Sequence, residues 1–306
     1  MSHLALMWHT PNKQRILASI NTDFYQLVTN AIKEDRLALP PIPDVVIRLH
    51  SLCQDHDSTV RDVADALADD PSLTASVIRV ANSVIFNRVN APCHDISAAV
   101  SRLGMFRVRD IVTAQAIEEL KNSAVFSEEC NKLLEESATQ SRQLAGATTL
   151  VCEGIIKYSE TPTRLEPEKA LLSCILADIG LFSLVKEYQH YLEQGNFLDL
   201  TLAKEVFASV CSRASVLILR HWGFDQDFLE VAGNTHYSQP DEGDVRYVDL
   251  ARMANHLLMF RSQDEAIDEH EVEFDLAGAE TMYELSNLSE VEFKDRIDKV
   301  MQKSCL

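Results

Sequence analysis

Along most of the chain, apolar residues recur at intervals of three and four, the spacing that places them on one face of an α-helix. Ile16, Ile20, Phe24, Leu27, Val28 and Ile32 form the first such stripe and predict a helix over Arg15–Lys33. "LALPPIPDV" interrupts it, because Pro40, Pro41 and Pro43 do not fit inside a helix; the next helix opens around Asp44 with Val45, Val46 and Leu49. Val60, Val63, Ala64 and Leu67 follow behind Thr59, whose partner three residues on, Asp62, makes a start resembling a capping box. Asp70-Pro71 is a stronger start signal, an N-cap acid followed by proline in the first turn, and Leu73, Val77, Val80, Ala81 and Val84 carry that stripe onward. "DISAAVSRLG" predicts a short helix capped by Asp95 or Ser97 and ended by a left-handed Gly104. "MFRVRDIVTAQAIEEL" continues with Val108, Ile111, Val112 and Ile117.

The pattern loosens between Lys121 and Ser127, which predicts a boundary between two lobes. Beyond it, helices are expected over Cys130–Tyr158, Pro167–Tyr188, Leu200–Trp222, Gln226–His236 and Val248–Phe260, with "YSETPTRLEPE" as an exposed loop and "QPDEGD" as a turn. No strand-like alternation and no internal repeat stand out, so the class is all-α. The predicted organisation is an N-terminal helical extension (1–36), a first lobe (37–122), a second lobe (123–262) and an acidic C-terminal extension (263–306). In that extension Asp264, Glu265, Asp268, Glu269, Glu271, Glu273 and Asp275 read as a solvated charged face.

Composition sharpens this outline. With 306 residues the chain is long enough to bury a large core, and 9 glycines and 9 prolines are few, in keeping with helix. The net charge of −19 opposes nucleic acid, whose binding draws on Lys and Arg, and anionic membrane surfaces. Seven cysteines stand singly, with no C-x-x-C, as reduced buried thiols do. No apolar run reaches membrane-spanning length and the N-terminus lacks a signal-peptide pattern, so a cytoplasmic protein is expected.

Four pieces then stand in a recognisable order: Leu39-Pro40-Pro41 with Pro43, Asp70-Pro71 with Leu73, Ala81-Asn82-Ser83, and Leu103-Gly104. Together with "ILADIG" and "RHWGFDQDFLEVAGNTH", they resemble the HDOD family, the HD-related output domains of bacterial signalling, over about residues 36–240. The resemblance implies an all-helical fold of two lobes, the second similar to metal-dependent HD phosphohydrolases. It also implies a metal site built from a His on one helix, a His-Asp pair on a second and an Asp on a late helix.

This chain departs from that set. No histidine occurs between Cys130 and Val185, and Ser137 or Ala138 takes the first position. The pair becomes Ala177-Asp178, and Asn255 stands for the late Asp. Asp178 alone keeps its ligand, and one carboxylate does not hold a catalytic metal against water. The expectation is a non-enzymatic module with no metal and no cofactor. Ala177, Asp178, His236 and Asn255 are its vestigial site positions, and Asp178 bonds between helices. His236 is expected to face the C-terminal dipole of its helix. His221 and Cys211 read as structural, Trp222 as a core anchor and Gly223 as a helix stop. An alternative metal set of Asp178, His236 and His256 is the lesser reading. Asn82 and Ser83 read as a cap between lobes, with binding as the minority option.

The function implied is a regulatory or adaptor module that contacts other bacterial signalling proteins. The alternatives are a metal-dependent phosphohydrolase of a nucleotide or cyclic dinucleotide, and a vestigial pocket that binds a nucleotide ligand without cleaving it. "ISAAVSRLG" and "MFRVRDIV" also imitate a helix-turn-helix with Arg102, Arg107 and Arg109, but the global charge argues against DNA.

Overall fold

The computed structural model describes residues 21–83, 86–87, 91–123, 126–236, 245–264, 267, 272 and 275–304; among them there is no strand. Helix α1 (Asp23–Lys33) precedes a first lobe of α2 (Asp44–Gln54), α3 (Val60–Ala68), α4 (Pro71–Ala81), α5 (Ile96–Leu103) and α6 (Met105–Ser123). The second lobe contains α7 (Glu128–Tyr158), α8 (Pro167–Leu176), α9 (Gly180–Glu193), α10 (Leu200–His221), α11 (Gln226–Gly233) and α12 (Tyr247–Ser262). Two further helices, α13 (Leu276–Ser286) and α14 (Glu290–Ser304), follow.

Local chemistry sets the starts of the first-lobe helices. The Thr59 hydroxyl accepts from the Asp62 N–H while the Asp62 carboxylate accepts from the Thr59 N–H, a complete capping box. Asp70 accepts from the N–H groups of Ser72 and Leu73, with Pro71 in the first turn of α4. Asp95, not Ser97, caps α5. Gly104 has the expected positive φ of 83°, but its ψ of 151° is extended, so the chain leaves α5 straight into α6.

Two boundaries differ from the periodicity. The helix expected over Pro167–Tyr188 breaks at 177–179 into α8 and α9. Gly180 is the reason the break fits: a Cβ there would lie 2.6 Å from the Ser215 N and 2.8 Å from the Cys211 carbonyl oxygen of α10. Helix α11 stops at Gly233, with Asn234 left-handed at φ 48°, so His236 lies beyond the helix rather than at its end. Helix α6 ends at Ser123, within the 121–127 stretch where the pattern loosens, and packs on α2 in the first lobe and on α7 and α8 in the second. One continuous apolar core spans both lobes.

The extensions dock on the second lobe. Phe24 of α1 packs against Tyr188, Tyr191 and Phe207. Residues 15–20 of the predicted N-terminal helix, Val84 and the 239–244 turn lie outside the described residues. In the acidic extension, α13 and α14 were hidden from the periodicity by charge, and both pack on α7. Gly146 and Gly154 let them approach: a Cβ at these positions would sit 2.7 Å from Ile297 Cγ2 and 2.4 Å from Thr281 Cγ2. Glu265, Asp268, Glu269, Glu271 and Glu273 lie outside the described residues. No described helix is long and apolar enough to cross a membrane.

The lobes are clamped at the turn that ends α10. His50 of α2 bonds the Trp222 carbonyl through Nδ1 at 2.6 Å and Thr113 of α6 through Nε2 at 2.9 Å. Arg109 donates to the Gly223 carbonyl at 3.0 Å and lies over the Phe224 ring. Burial, aided by the nearby Arg109 charge and opposed by the bond to the Trp222 carbonyl, lowers the His50 pKa to about 4 and holds the ring neutral.

Candidate functional site

The break between α8 and α9 places Asp178 in the interior of the second lobe, 1% exposed. A carboxylate there needs a counter-charge. Lys121, in the last turns of α6, supplies it: Nζ donates to Asp178 Oδ1 at 2.7 Å and to Ser137 Oγ at 3.3 Å. The Ser137 hydroxyl donates to Asp178 Oδ2. Both carboxylate oxygens are therefore taken, one by an ammonium from α6 and one by a hydroxyl from α7. The ammonium is as buried as the acid, with side-chain exposures of 2% and 1%.

Lys121 was missed by the sequence reading, which saw there only a loosened pattern. The signal was present: Lys121 stands four residues after Ile117 and seven after Ala114, on the face of the helix that carries those two apolar residues, where a lysine has no reason to sit without a buried partner. Ser137, read as one of two stand-ins for the first His, is the one that meets Asp178.

The neighbouring positions are inert. Ala177 is fully buried. Cys211 lies behind the Asp178 carbonyl, with Sγ 3.9 Å from its oxygen, and burial pushes its thiol up to about 12. Asn255 on α12 is buried, and its amide nitrogen donates only to Met259 Sδ at 3.5 Å. Its Oδ1 has no partner among the described residues, and no hydrogen bond joins it to Asp178.

His236 does not face a helix dipole. Its Nε2 lies 2.9 Å from Asp249 Oδ1, at the start of α12, so it ties the end of α11 to the next helix. His256 Nδ1 has no partner among the described residues. Among the described residues no three His, Cys, Asp or Glu side chains converge where a metal could be held, so Asp178, His236 and His256 do not form a set. The donor chemistry does not fit a divalent ion: Asp178 already holds a fixed cation on one oxygen and a hydroxyl on the other, and no second acid or imidazole joins it among the described residues.

Asn82 works within the first lobe rather than between lobes. Its side chain accepts from the Cys93 N–H at 2.7 Å and donates to the Cys93 carbonyl at 2.6 Å, pinning the strand-like approach to α5 against the end of α4. Ser83 is buried beside it, with no partner for its hydroxyl among the described residues. Trp222 is buried and Gly223 ends α10 at φ 68°, as expected, while His221 is exposed. The arginines of the helix-turn-helix look-alike are engaged internally: Arg102 with the Ala81 and Ala91 carbonyls, Arg107 with Glu166, and Arg109 with Asp110 and Gly223.

The family described as HDOD domain matches residues 39–238. Among solved structures, one described as a metal-dependent phosphohydrolase from Shewanella amazonensis is 19% identical, with a TM-score of 0.68, and the match covers 95% of this chain and 99% of that one. An HDOD domain protein with unknown function from Geobacter sulfurreducens is 17% identical at a TM-score of 0.49, covering 95% of each chain. A chain described as a signal transduction protein from Marinobacter aquaeolei is 19% identical at 0.47, covering 93% of this chain and 65% of that one. No curated protein matches. At these identities the first likeness speaks for a shared fold.

Proposed function

The chain belongs to the HDOD family, and from that premise we propose that it is a signal-transduction module without catalysis, acting through contact with another signalling protein. The observation that carries this reading is the Lys121–Asp178–Ser137 cluster. HD-type hydrolysis needs a divalent ion that lowers the pKa of a bound water and polarises a phosphoryl oxygen. An ammonium gives neither an open coordination position nor a bound hydroxide. Buried as Lys121 is, it also has no face toward substrate. The carboxylate that would serve such chemistry is instead a fixed point where α6, α7 and the α8–α9 turn meet. What remains useful is the outer surface of a rigid two-lobed body.

The test is hydrolysis of a generic phosphodiester, bis(p-nitrophenyl) phosphate, and of a nucleotide panel by the full chain with added Mn, Fe or Ni. The expected rate is no higher than that of the Asp178→Asn variant. Metal-dependent turnover abolished by D178N would replace this reading with the phosphohydrolase one. In-cell crosslinking then tests the contact itself, where a specific protein adduct is expected.

A further inference from the structure

The seam between the lobes holds a hollow of about 310 Å³, at the lower end of the range for small-ligand pockets, roughly 300–1,000 Å³. Its apolar lining is Leu103, Met105 and Phe106 from the first lobe and Leu172 from the second. Its charged lining is Arg107 and Asp110 of α6, Glu166 and Lys169 at the start of α8, and Asp225, the N-cap of α11. Three carboxylates therefore meet two cations. Counting also the partners behind them, Arg109 on Asp110 and Asp227 on Lys169, gives four against three. Either way the hollow has one carboxylate more than it has cations.

The cations present are already committed. Lys169 Nζ reaches Asp227 and, at 2.9 Å, Asp225 Oδ2, and it lies against the Phe228 and Tyr247 rings. Arg107 donates to Glu166 Oε2. Arg109 donates twice to Asp110, both times to Oδ1, at 2.8 and 2.6 Å. Asp110 is only 8% exposed, yet its Oδ2 accepts no hydrogen bond from the described residues, and neither does Glu166 Oε1. Burial raises the Asp110 pKa to about 6 against the pull of Arg109 and Lys169, with Asp225 adding to the rise. The carboxylate is buried with half of its bonding capacity unused.

We propose that this hollow binds a small primary ammonium compound with a short apolar or aromatic body, its nitrogen on Asp110 Oδ2 and Glu166 Oε1 and its body against Leu172 and Phe106. An ammonium carries three donors and no acceptor, which suits two carboxylate oxygens that lack donors. Lys169 shows the same chemistry next door, an ammonium held by two carboxylates against aromatic faces. Phe106, 61% exposed, offers the incoming body an uncovered ring. An anion would be repelled by the same oxygens. The neighbouring hollow shares Arg107 and Glu166 but carries Arg102 and Arg164 in place of Asp110 and Asp225, so the carboxylate excess belongs to this one. Both lobes line the site, and a bound compound would bridge them. Such a site stands whether or not the chain contacts another signalling protein.

Isothermal titration calorimetry of the full chain compares phenethylammonium with phenethyl alcohol, which lacks the charge, and with 3-phenylpropionate, which inverts it. The ammonium is expected to bind one-to-one, the alcohol roughly tenfold or more weakly, and the carboxylate not at all. D110N should weaken the ammonium about tenfold and E166Q, at a half-exposed acid, by less. Unchanged melting temperatures check that both variants fold. Should D110N fail to fold, the parent's pH profile asks the same question. Between about pH 7.5 and 5 the ammonium keeps its charge while Asp110 gains a proton, so affinity should fall about tenfold as pH drops through 6. The other groups facing Asp110 are Arg109 on its own helix, Lys169 of α8, Asp225 before α11 and the Cys53 thiol of α2. No binding of the ammonium, equal binding of the alcohol, undiminished affinity in both variants or a flat pH profile would each overturn the site.

Discussion

Asp178 inside the second lobe and His50 at the lobe junction are both almost fully buried, yet they meet burial in opposite ways. Asp178 has a lysine and a serine on its two oxygens and stays in an ion pair. His50 has a carbonyl and a hydroxyl on its two nitrogens, no carboxylate, and an arginine nearby, so burial strips its charge. The difference shows what a buried titratable group requires: a fixed counter-charge, or neutrality. It also explains why Lys121 and Asp178 have to be read as one unit. A buried acid at the α8–α9 turn needs a cation, and α6 brings one.

The largest effect should come from splitting that unit. Lys121→Met leaves a buried carboxylate and Asp178→Leu leaves a buried ammonium, so each single change is expected to lower unfolding free energy by about 3–5 kcal/mol. The double variant should recover most of that loss, and urea denaturation of the four proteins measures the coupling. Additive losses would mean the two residues do not act as a pair.

Next is the pH behaviour of the junction. His50 has its pKa depressed from 6.5 to about 4, so its contribution is present above pH 6.5 and is lost as pH falls through 4. That shift corresponds to roughly 3 kcal/mol over the window. Asp110, next to Arg109, works in the other direction: burial raises its pKa to about 6, so its contribution is full below pH 3.8 and lost as pH rises through 6. Stability against pH, followed by denaturant midpoints between pH 7 and 4, should fall less steeply in His50→Gln than in the parent. An unchanged slope would remove His50 from the account.

A smaller effect is expected where the extension packs. Gly154→Val should push Thr281 away, lower stability by about 1–3 kcal/mol and make α13–α14 sensitive to limited proteolysis. An undisturbed digestion pattern would show that the close approach at Gly154 is dispensable. The smallest effect is purely local: Thr59→Ala removes the capping box of α3, at about 1 kcal/mol, and a thermal melt reads it.

These regions also differ in how far the sequence revealed them. The first-lobe caps at Thr59, Asp70 and Asp95 were legible because partner and cap lie within three residues of each other. That no histidine stands between Cys130 and Val185 is likewise read directly from the chain. The break at 177–179 was not legible, because Leu171 to Val185 is apolar almost throughout and the bend depends on Lys121 and on the backbone of α10. The Lys121–Asp178 pair joins residues 57 apart, beyond any helical periodicity. His236 was placed at a helix end that Asn234 cuts short, and its partner Asp249 comes from the next helix. In the extension, Phe293, Ile297, Val300 and Met301 did have helical spacing, masked by the surrounding charge.

The most direct test of the central claim, that an ammonium fills the place beside Asp178 where a divalent ion would sit, is metal analysis of the full chain. The protein would be purified without chelator, equilibrated with Mn, Fe or Ni and then desalted. Far less than one bound ion per chain is expected, with the same melting temperature before and after EDTA. An ion bound in one-to-one ratio, lost in Asp178→Asn and stabilising the parent, would contradict it.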